Sequence, residues 1–436
     1  MDAFSDGIKV LQSREARSLF AELYGEEAAE VQRQISRYMR IINEHDRLFG
    51  EKVGHLFSAP GRTEIGGNHT DHSGGMVLSA SVNLDSIAAV SQTDDNVITV
   101  YSEGFSEPFK VNINEPGPLE HEEGKTSALI RGIATKFKAQ GHKVGGFNAY
   151  ITSDVLIGSG LSSSASIEVL IASVLNELYN NGSVKMLELA QICQFAENVF
   201  FNKPCGLMDQ ITCAFGGIIT IDFGDFSSPV VKKVKADFAR SGHQLAVVDT
   251  GSDHADLTDD YAAVPREMKE VCTALRKSGC REITLQILLE NLGRLRRQVS
   301  DRAILRMFHF ITENERVVGQ VSALEAGDYR MFFSLVSESG KSSMRWLQNS
   351  FSLKNPHRQG ITLALALTEH FLKRCDSGAC RVHGGGFAGT VQAFIPFDHL
   401  DEYTGLMEDA FDKGSVKTLL IRPYGALHVT AAGLKK

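Results

Sequence analysis

Along the first fifty positions the apolar residues fall in one stripe. Val31, Ile35, Tyr38, Met39 and Ile42 stand at i, i+4, i+7, i+8 and i+11, which predicts a helix presenting that face to a core. From His55 to about 155 the texture changes to short β-rich runs at 86–90, 97–102, 109–113 and 147–155. Helical spacing returns after Gly160, where Ile167, Leu170, Ile171, Val174, Leu175 and Leu178 form a long apolar face behind a Gly/Ser loop. A second helix is predicted over about 186–200, followed by a strand-like run at 217–223. The stretch 225–242 is polar and interrupted by Pro229, which marks a boundary between a first unit, 1–228, and a second, 229–436. The second unit opens on the apolar run 245–249 and continues through long helices. It closes with a glycine cluster, 384–389, ahead of a strand at 391–395. Alternating β and α texture in both halves, with no internal repeat, predicts a two-domain α+β protein.

Composition narrows the function classes. The 436 residues carry 45 Lys plus Arg against 53 Asp plus Glu, a formal net charge of -8. A mildly acidic chain offers no footprint for nucleic acid or an anionic membrane, so neither is expected as a partner. Any anionic ligand must be held by a local site. Positions 1–20 include Asp2, Asp6, Arg14, Glu15 and Arg17 and lack the apolar core of a signal peptide, and no later stretch approaches the ~18 apolar residues of a membrane span. The cysteines are seven, an odd number without C-x-x-C spacing. A reduced, cytoplasmic protein is the expectation, with no disulfide framework or zinc site.

Four segments carry candidate chemistry. Gly158, Ser159, Gly160, Leu161, Ser162, Ser163, Ser164 and Ala165 follow a strand and open a helix. Two glycines permit a tight turn, and the amides after it converge with the positive end of the helix dipole on a spot suited to phosphate. The plain alternative is a Ser-rich N-cap. The second segment runs from Pro60, Gly61 and Arg62 to His69, Thr70, Asp71, His72, Ser73, Gly74 and Gly75, where glycines bracket polar side chains able to grip a polyhydroxylated ligand or simply to form a solvated loop. The third, 204–210, places Asp209 among apolar and small residues, just past a helix with Glu197 on its edge. A carboxylate near the serine loop suits Mg²⁺, which takes one or two carboxylate oxygens plus phosphate. The fourth, His383 to Gly389, implies close backbone approach to a ligand or to the other domain, or a tight turn. Gly340-Lys341-Ser342 is not a Walker A ending, because the first required glycine would fall at Leu335. His69, Asp71 and His72 lack the spacing of a zinc site.

In this order the four segments resemble the GHMP kinase superfamily, and within it the galactokinases, from about residue 57 to 395. The resemblance implies a two-domain GHMP kinase fold, with an N-terminal ribosomal-protein-S5-like domain and a ferredoxin-like C-terminal domain. It implies Mg²⁺-dependent transfer from ATP to the anomeric hydroxyl of a galactose-type sugar. Asp209 would orient and deprotonate that hydroxyl, and Arg62 would neutralise charge beside it. Gly158 to Ser164 would hold the phosphates, and Ser164 with Glu197 would hold Mg²⁺. The residue before His69, together with His69, Asp71, Gly206 and Tyr261, would bind sugar hydroxyls.

The chain departs from the galactokinase pattern at that first sugar position, where Asn68 replaces a glutamate that accepts from the 6-hydroxyl. Asn keeps an acceptor but drops the charge, which leaves galacturonate, as handled by the related galacturonokinases, as an alternative substrate. The run Arg62-Thr63-Glu64-Ile65-Gly66-Gly67 also departs from the usual Arg-Val-Asn-Leu-Ile-Gly. A catalytically silent sugar sensor is the other alternative. Such relatives lack the Ser-Ala pair that ends the phosphate loop, which Ser164-Ala165 preserves here.

Overall fold

The computed structural model describes residues 11, 13–50, 52–155, 160–251 and 257–432. The apolar stripe from Val31 to Ile42 lies within one helix, α2 (Ala28–Phe49), and a shorter helix, α1 (Arg14–Tyr24), precedes it. Ser13 caps α1 by accepting from the Ala16 amide, and Gly50 ends α2 in the left-handed conformation. Phe20, Leu23, Tyr38 and Ile42 on their inner faces pack against Leu56, Ile87 and Ala89 of the first sheet.

That sheet contains β1 (His55–Gly66), β2 (Met76–Gln92), β3 (Val97–Ser102), β4 (Phe109–Asn112), β5 (Phe147–Ser153), β6 (Ile218–Asp222) and β7 (Val230–Lys233). The long β2 pairs with β1 along one edge, and on the other with β6 through residues 76–80 and with β5 through 86–92. Four helices cover the face opposite α1 and α2: α3 (Thr126–Ala139), α4 (Ser163–Asn180), α5 (Met186–Phe195) and α6 (Met208–Phe215). Ile133, Phe137, Val169, Leu175, Ile192 and Ile211 form the core between these helices and the sheet. Each such side chain contributes roughly 1.5–3 kcal/mol by leaving water. The β1–β2 ladder shifts register between Pro60 and Arg62 and again between Glu64 and Gly66. Bulges of this kind re-aim side chains, and Arg62 lies between the two.

The second sheet is antiparallel, formed in spatial order by β11 (Val416–Leu419), β8 (His243–Asp249), β10 (Thr390–Pro396) and β9 (Ala379–His383). It packs with α9 (Tyr329–Ser342), α10 (Gly360–Cys375) and α11 (Leu400–Phe411), while α8 (Asp301–Ala326) lies against α9 and against β1 and β2 of the first sheet, and α7 (Thr258–Ala274) lies against α8. Sheet membership runs past the division expected at 228. β7 pairs with β6, and a two-residue strand, β12 (Leu427–His428), returns to pair with Phe57 and Ser58 of β1. The fully buried Arg422 anchors this return by donating to Ser58 Oγ at 2.7 Å and Asp85 Oδ2 at 3.0 Å.

One apolar cluster spans both units. Ile65, Leu78, Val82 and Leu161 from the first meet Val247, Val317, Phe332 and Phe394 from the second. The cleft between the sheets is therefore floored by core packing. Among the described residues no helix is long and apolar enough to cross a membrane.

Candidate active site

Leu161 closes the floor of the cleft, and the chain then turns at Ser162, a non-glycine residue with φ 61° and ψ 60°, to enter α4. No side chain caps the first turn of α4. The Ser162 hydroxyl instead donates to Asp209 Oδ2. The helix N-terminus is thus left for a ligand, with its dipole directed into the cleft. Gly160 permits this turn, because at φ 71° a Cβ there would stand 2.6 Å from Thr390 Oγ1 of the second unit. Gly158 and Ser159 lie outside the described residues.

Asp209 sits in the first turn of α6 and receives a two-pronged bond from Arg62, Nε to Oδ1 at 2.6 Å and Nη2 to Oδ2 at 2.7 Å. Arg62 also donates through Nη1 to the Gly160 carbonyl, tying β1, the serine turn and α6 into one unit. Burial alone would raise the Asp209 carboxyl pKa. The Arg62 guanidinium and the Ser162 hydroxyl outweigh it and hold the group below its ordinary value. Asp209 is therefore ionised at neutral pH.

The edge position expected for Glu197 is not where the structure puts it. Helix α5 gives way to a π turn, Ala196–Phe200, which rotates the following residues out of α-helical register, and Glu197 is only 2% exposed. Its Oε1 accepts from Ser164 Oγ at 3.1 Å and Lys203 Nζ at 2.9 Å, and its Oε2 accepts from Gln210 at 2.9 Å. Ser164 and Glu197 thus stand together, two hard oxygen donors at the wall of the cleft. Among the described residues no group of three or more His, Cys, Asp or Glu is placed to hold a metal ion by itself. A cation held here would draw its other ligands from phosphate and water, the usual manner of Mg²⁺.

The residues expected around the sugar have a shared partner. Asn68 Nδ2 donates to Gly384 O at 2.7 Å, His69 Nε2 to Gly385 O at 2.7 Å, and Tyr261 Oη to Gly386 O at 3.0 Å. Three consecutive carbonyls of the glycine cluster are clasped by three candidates, two from the first unit and Tyr261 from the cluster's own unit, so its close backbone approach is in part to the other domain. His69 lies 6.2 Å from the Tyr261 ring in a stacked arrangement. Burial lowers its pKa to about 4, which keeps it neutral at pH 7. Asp71 faces Gly206 so closely that a Cβ at 206 would meet Asp71 Oδ2 at 2.1 Å.

Asn68 differs from the sugar contact expected of it. It is fully buried, its Nδ2 also reaches Glu64 Oε1 at 2.9 Å, and its Oδ1 accepts from Asn349 at 2.8 Å and Ser343 at 3.2 Å. Every hydrogen-bonding position of the carboxamide serves the protein interior. Its neighbour Glu64 stands where the usual run has Asn, so the two departures from the galactokinase pattern touch each other and exchange a carboxylate for an amide.

Arg62, Ser162, Ser163, Ser164, Glu197, Asp209, Tyr261 and the glycines 384–386 all line one cavity of about 960 Å³. Two family models match the segments that build it: the galactokinase galactose-binding signature over residues 43–92 and the GHMP kinases N terminal domain over 128–217. A galactokinase of Streptomyces coelicolor is 30% identical over 374 residues, spanning 85% of this chain and 92% of that protein. This chain belongs to the galactokinase family. A galactokinase of Actinobacillus pleuropneumoniae is 28% identical over 84% of this chain and 91% of its own length. Among solved structures, Lactococcus lactis galactokinase complexed with galactose superposes with a TM-score of 0.75 at 22% identity, covering 90% of this chain and all of that one. Methanococcus jannaschii mevalonate kinase follows the same fold with a TM-score of 0.59 at 16% identity, over 84% of this chain and 98% of that one. The two-domain α+β GHMP fold expected from the motifs is thus the fold observed.

The galactokinase-family cavity has a second arm that sequence reasoning missed. Val100, Phe105, Phe109, Leu129, Ile151, Ile167, Ile171 and Phe201 wall it with hydrocarbon, and Lys125 and Thr126 stand at the start of α3 beside them. Phe105 and Phe109 meet edge to face at 5.3 Å. Phe105 is 53% exposed, and its place in the wall of the cavity is a tertiary fact that the sequence pattern does not disclose.

Proposed function

We propose that this chain transfers the γ-phosphoryl group of ATP to the anomeric hydroxyl of galactose. The observation that carries the reading is the single cavity in which the Arg62–Asp209 pair faces the uncapped α4 N-terminus and Glu197. Phosphates at that N-terminus would meet amides and the helix dipole, and the apolar arm would receive the adenine ring between Phe105, Leu129 and Ile171. The acceptor hydroxyl would sit against Asp209, with Asp71, His69, Gly206 and Tyr261 around the hexose.

Phosphoryl transfer through a loose transition state needs positioning and electrostatic stabilisation more than covalent help. Asp209, held ionised by Arg62, would orient the hydroxyl and take its proton as the new P–O bond forms. Arg62 would keep Asp209 aligned and offset charge on the phosphoryl oxygens. Ser164 and Glu197 would hold Mg²⁺, which supplies charge neutralisation across the phosphates. Because the Asp209 pKa is depressed, its contribution is lost only as pH falls through a value below that of an ordinary aspartate. The free cysteines support a reduced, cytoplasmic setting.

The galacturonate alternative rested on Asn68, whose carboxamide is occupied inside the protein. A silent sensor is disfavoured by the complete set of Arg62, Ser164, Glu197 and Asp209. The deciding experiment is an ADP-release screen against galactose, galacturonate, galactosamine, N-acetylgalactosamine and glucose, followed by NMR location of the phosphate. Galactose should be the preferred acceptor, with phosphate at C1. Phosphate at any other carbon, or no sugar-dependent ADP release, would overturn the reading.

A further inference from the structure

We propose that Lys203 is a phosphate-contacting catalytic residue, its ammonium moving from Glu197 to the oxygens of the transferring phosphoryl group. The inference rests on the sugar-kinase reading above and deepens it. Among the described residues lining the cavity, positive charge comes from Arg62, Lys125 and Lys203. Arg62 is 7% exposed and committed, with Nε and Nη2 on Asp209 and Nη1 on the Gly160 carbonyl. Lys125 stands on the apolar arm at the start of α3. Lys203 alone combines a position at the phosphate end with freedom to move.

Its side chain is 59% exposed, whereas that of Glu197, which it meets at 2.9 Å, is 2% exposed. The ammonium is therefore the mobile partner of the pair. The backbone beneath it is fixed. Asn202, at φ 62°, turns the chain back after the π turn, and the Lys203 amide donates to the Glu197 carbonyl at 3.1 Å. Ser164 Oγ and Lys203 Nζ converge on the same Glu197 oxygen. With Glu197 engaged by a divalent cation the ammonium would lose this partner, and phosphate oxygens at the α4 N-terminus would offer it another. A compact ammonium on a four-carbon stem can follow a migrating phosphoryl group, which the fixed guanidinium fork of Arg62 cannot.

The test compares Lys203→Met and Lys203→Arg with wild type. Binding of the β,γ-imido analogue of ATP is measured by calorimetry with and without Mg²⁺, beside steady-state kinetics. Loss of a charged hydrogen bond to phosphate should weaken analogue binding about 10-fold with Mg²⁺ present, leave it near the wild-type value without Mg²⁺, and lower kcat about 10- to 100-fold. Arginine should recover most of each. If analogue affinity and kcat stay at wild-type values while half-maximal rate needs less Mg²⁺, the lysine only neutralises Glu197 and the proposal fails. The binding arm involves no turnover, so it decides the role of Lys203 even if wild type phosphorylates no galactose. The exposed side chain makes misfolding an unsuitable explanation, and an unchanged melting temperature checks that.

Discussion

At one end of the cavity Arg62, Ser162, Ser164, Glu197 and Asp209 are bound to one another by charged hydrogen bonds. At the other, Val100, Phe105, Leu129, Ile151 and Ile171 offer only hydrocarbon. The polar end is rigid because each member is held by at least one other, and removing any leaves a partner with unmet hydrogen-bonding capacity. The apolar end is held by core packing shared with the sheet, and its members can be trimmed without orphaning a charge. The difference suggests a division of labour, with the chemistry at the first end and nucleotide affinity at the second.

The sharpest way to break that division is Asp209→Asn. It removes the charge that orients the acceptor and should lower kcat by on the order of 10²–10⁴-fold. Binding of the β,γ-imido ATP analogue, which the apolar arm should dominate, is expected to change little. If calorimetry shows affinity falling in step with kcat, the two ends are not separate.

The next effect probes the wall behind the polar end. Asn68→Glu would set a second carboxylate against Glu64, where Asn68 Nδ2 now donates at 2.9 Å and where Arg381 supplies a single guanidinium at 2.7 Å. An uncompensated buried charge costs about 3–5 kcal/mol, read as a loss of melting temperature. Adding Glu64→Asn restores one charge to the pair and should recover most of that loss. A double-mutant cycle showing simple additivity would mean that the two positions are not one unit. Sugar preference at C6 should stay constant through the cycle, because both side chains are buried and spend their hydrogen bonds inside the protein.

The two ends also differed in how far sequence disclosed them. Arg62, Asp209 and the serine turn are residue types whose chemistry is visible in a string of letters, and their motifs place them correctly in one cleft. Glu197 was found by motif but misplaced on a helix edge, since a π turn cannot be read from α-helical periodicity. Asn68 was assigned to the sugar because it stands where the galactokinase pattern has a sugar-binding glutamate, while the partners that occupy its carboxamide, Gly384, Ser343 and Asn349, lie some 275 to 316 residues away. The boundary at 228 missed β7 and β12 because an exposed edge strand and a two-residue strand carry almost no apolar pattern. Leu129 and Ile171 resemble ordinary core residues in every local respect, so their place in a cavity wall is a tertiary fact alone.

Phe105→Ala makes the smallest change and tests the division most directly. The ring is 53% exposed, touches Phe109 edge to face, and makes no bond to the polar end, so its removal should leave folding intact. An aromatic contact of this kind is worth about 0.5–1.5 kcal/mol beyond area burial, which predicts a rise in KM for ATP of roughly 2- to 10-fold. Such a loss belongs to ground state and transition state alike, so kcat should hold at its wild-type value. A fall in kcat with KM unchanged would mean that the apolar arm aligns the phosphates for transfer, and the contrast between the two ends would then be one of composition alone.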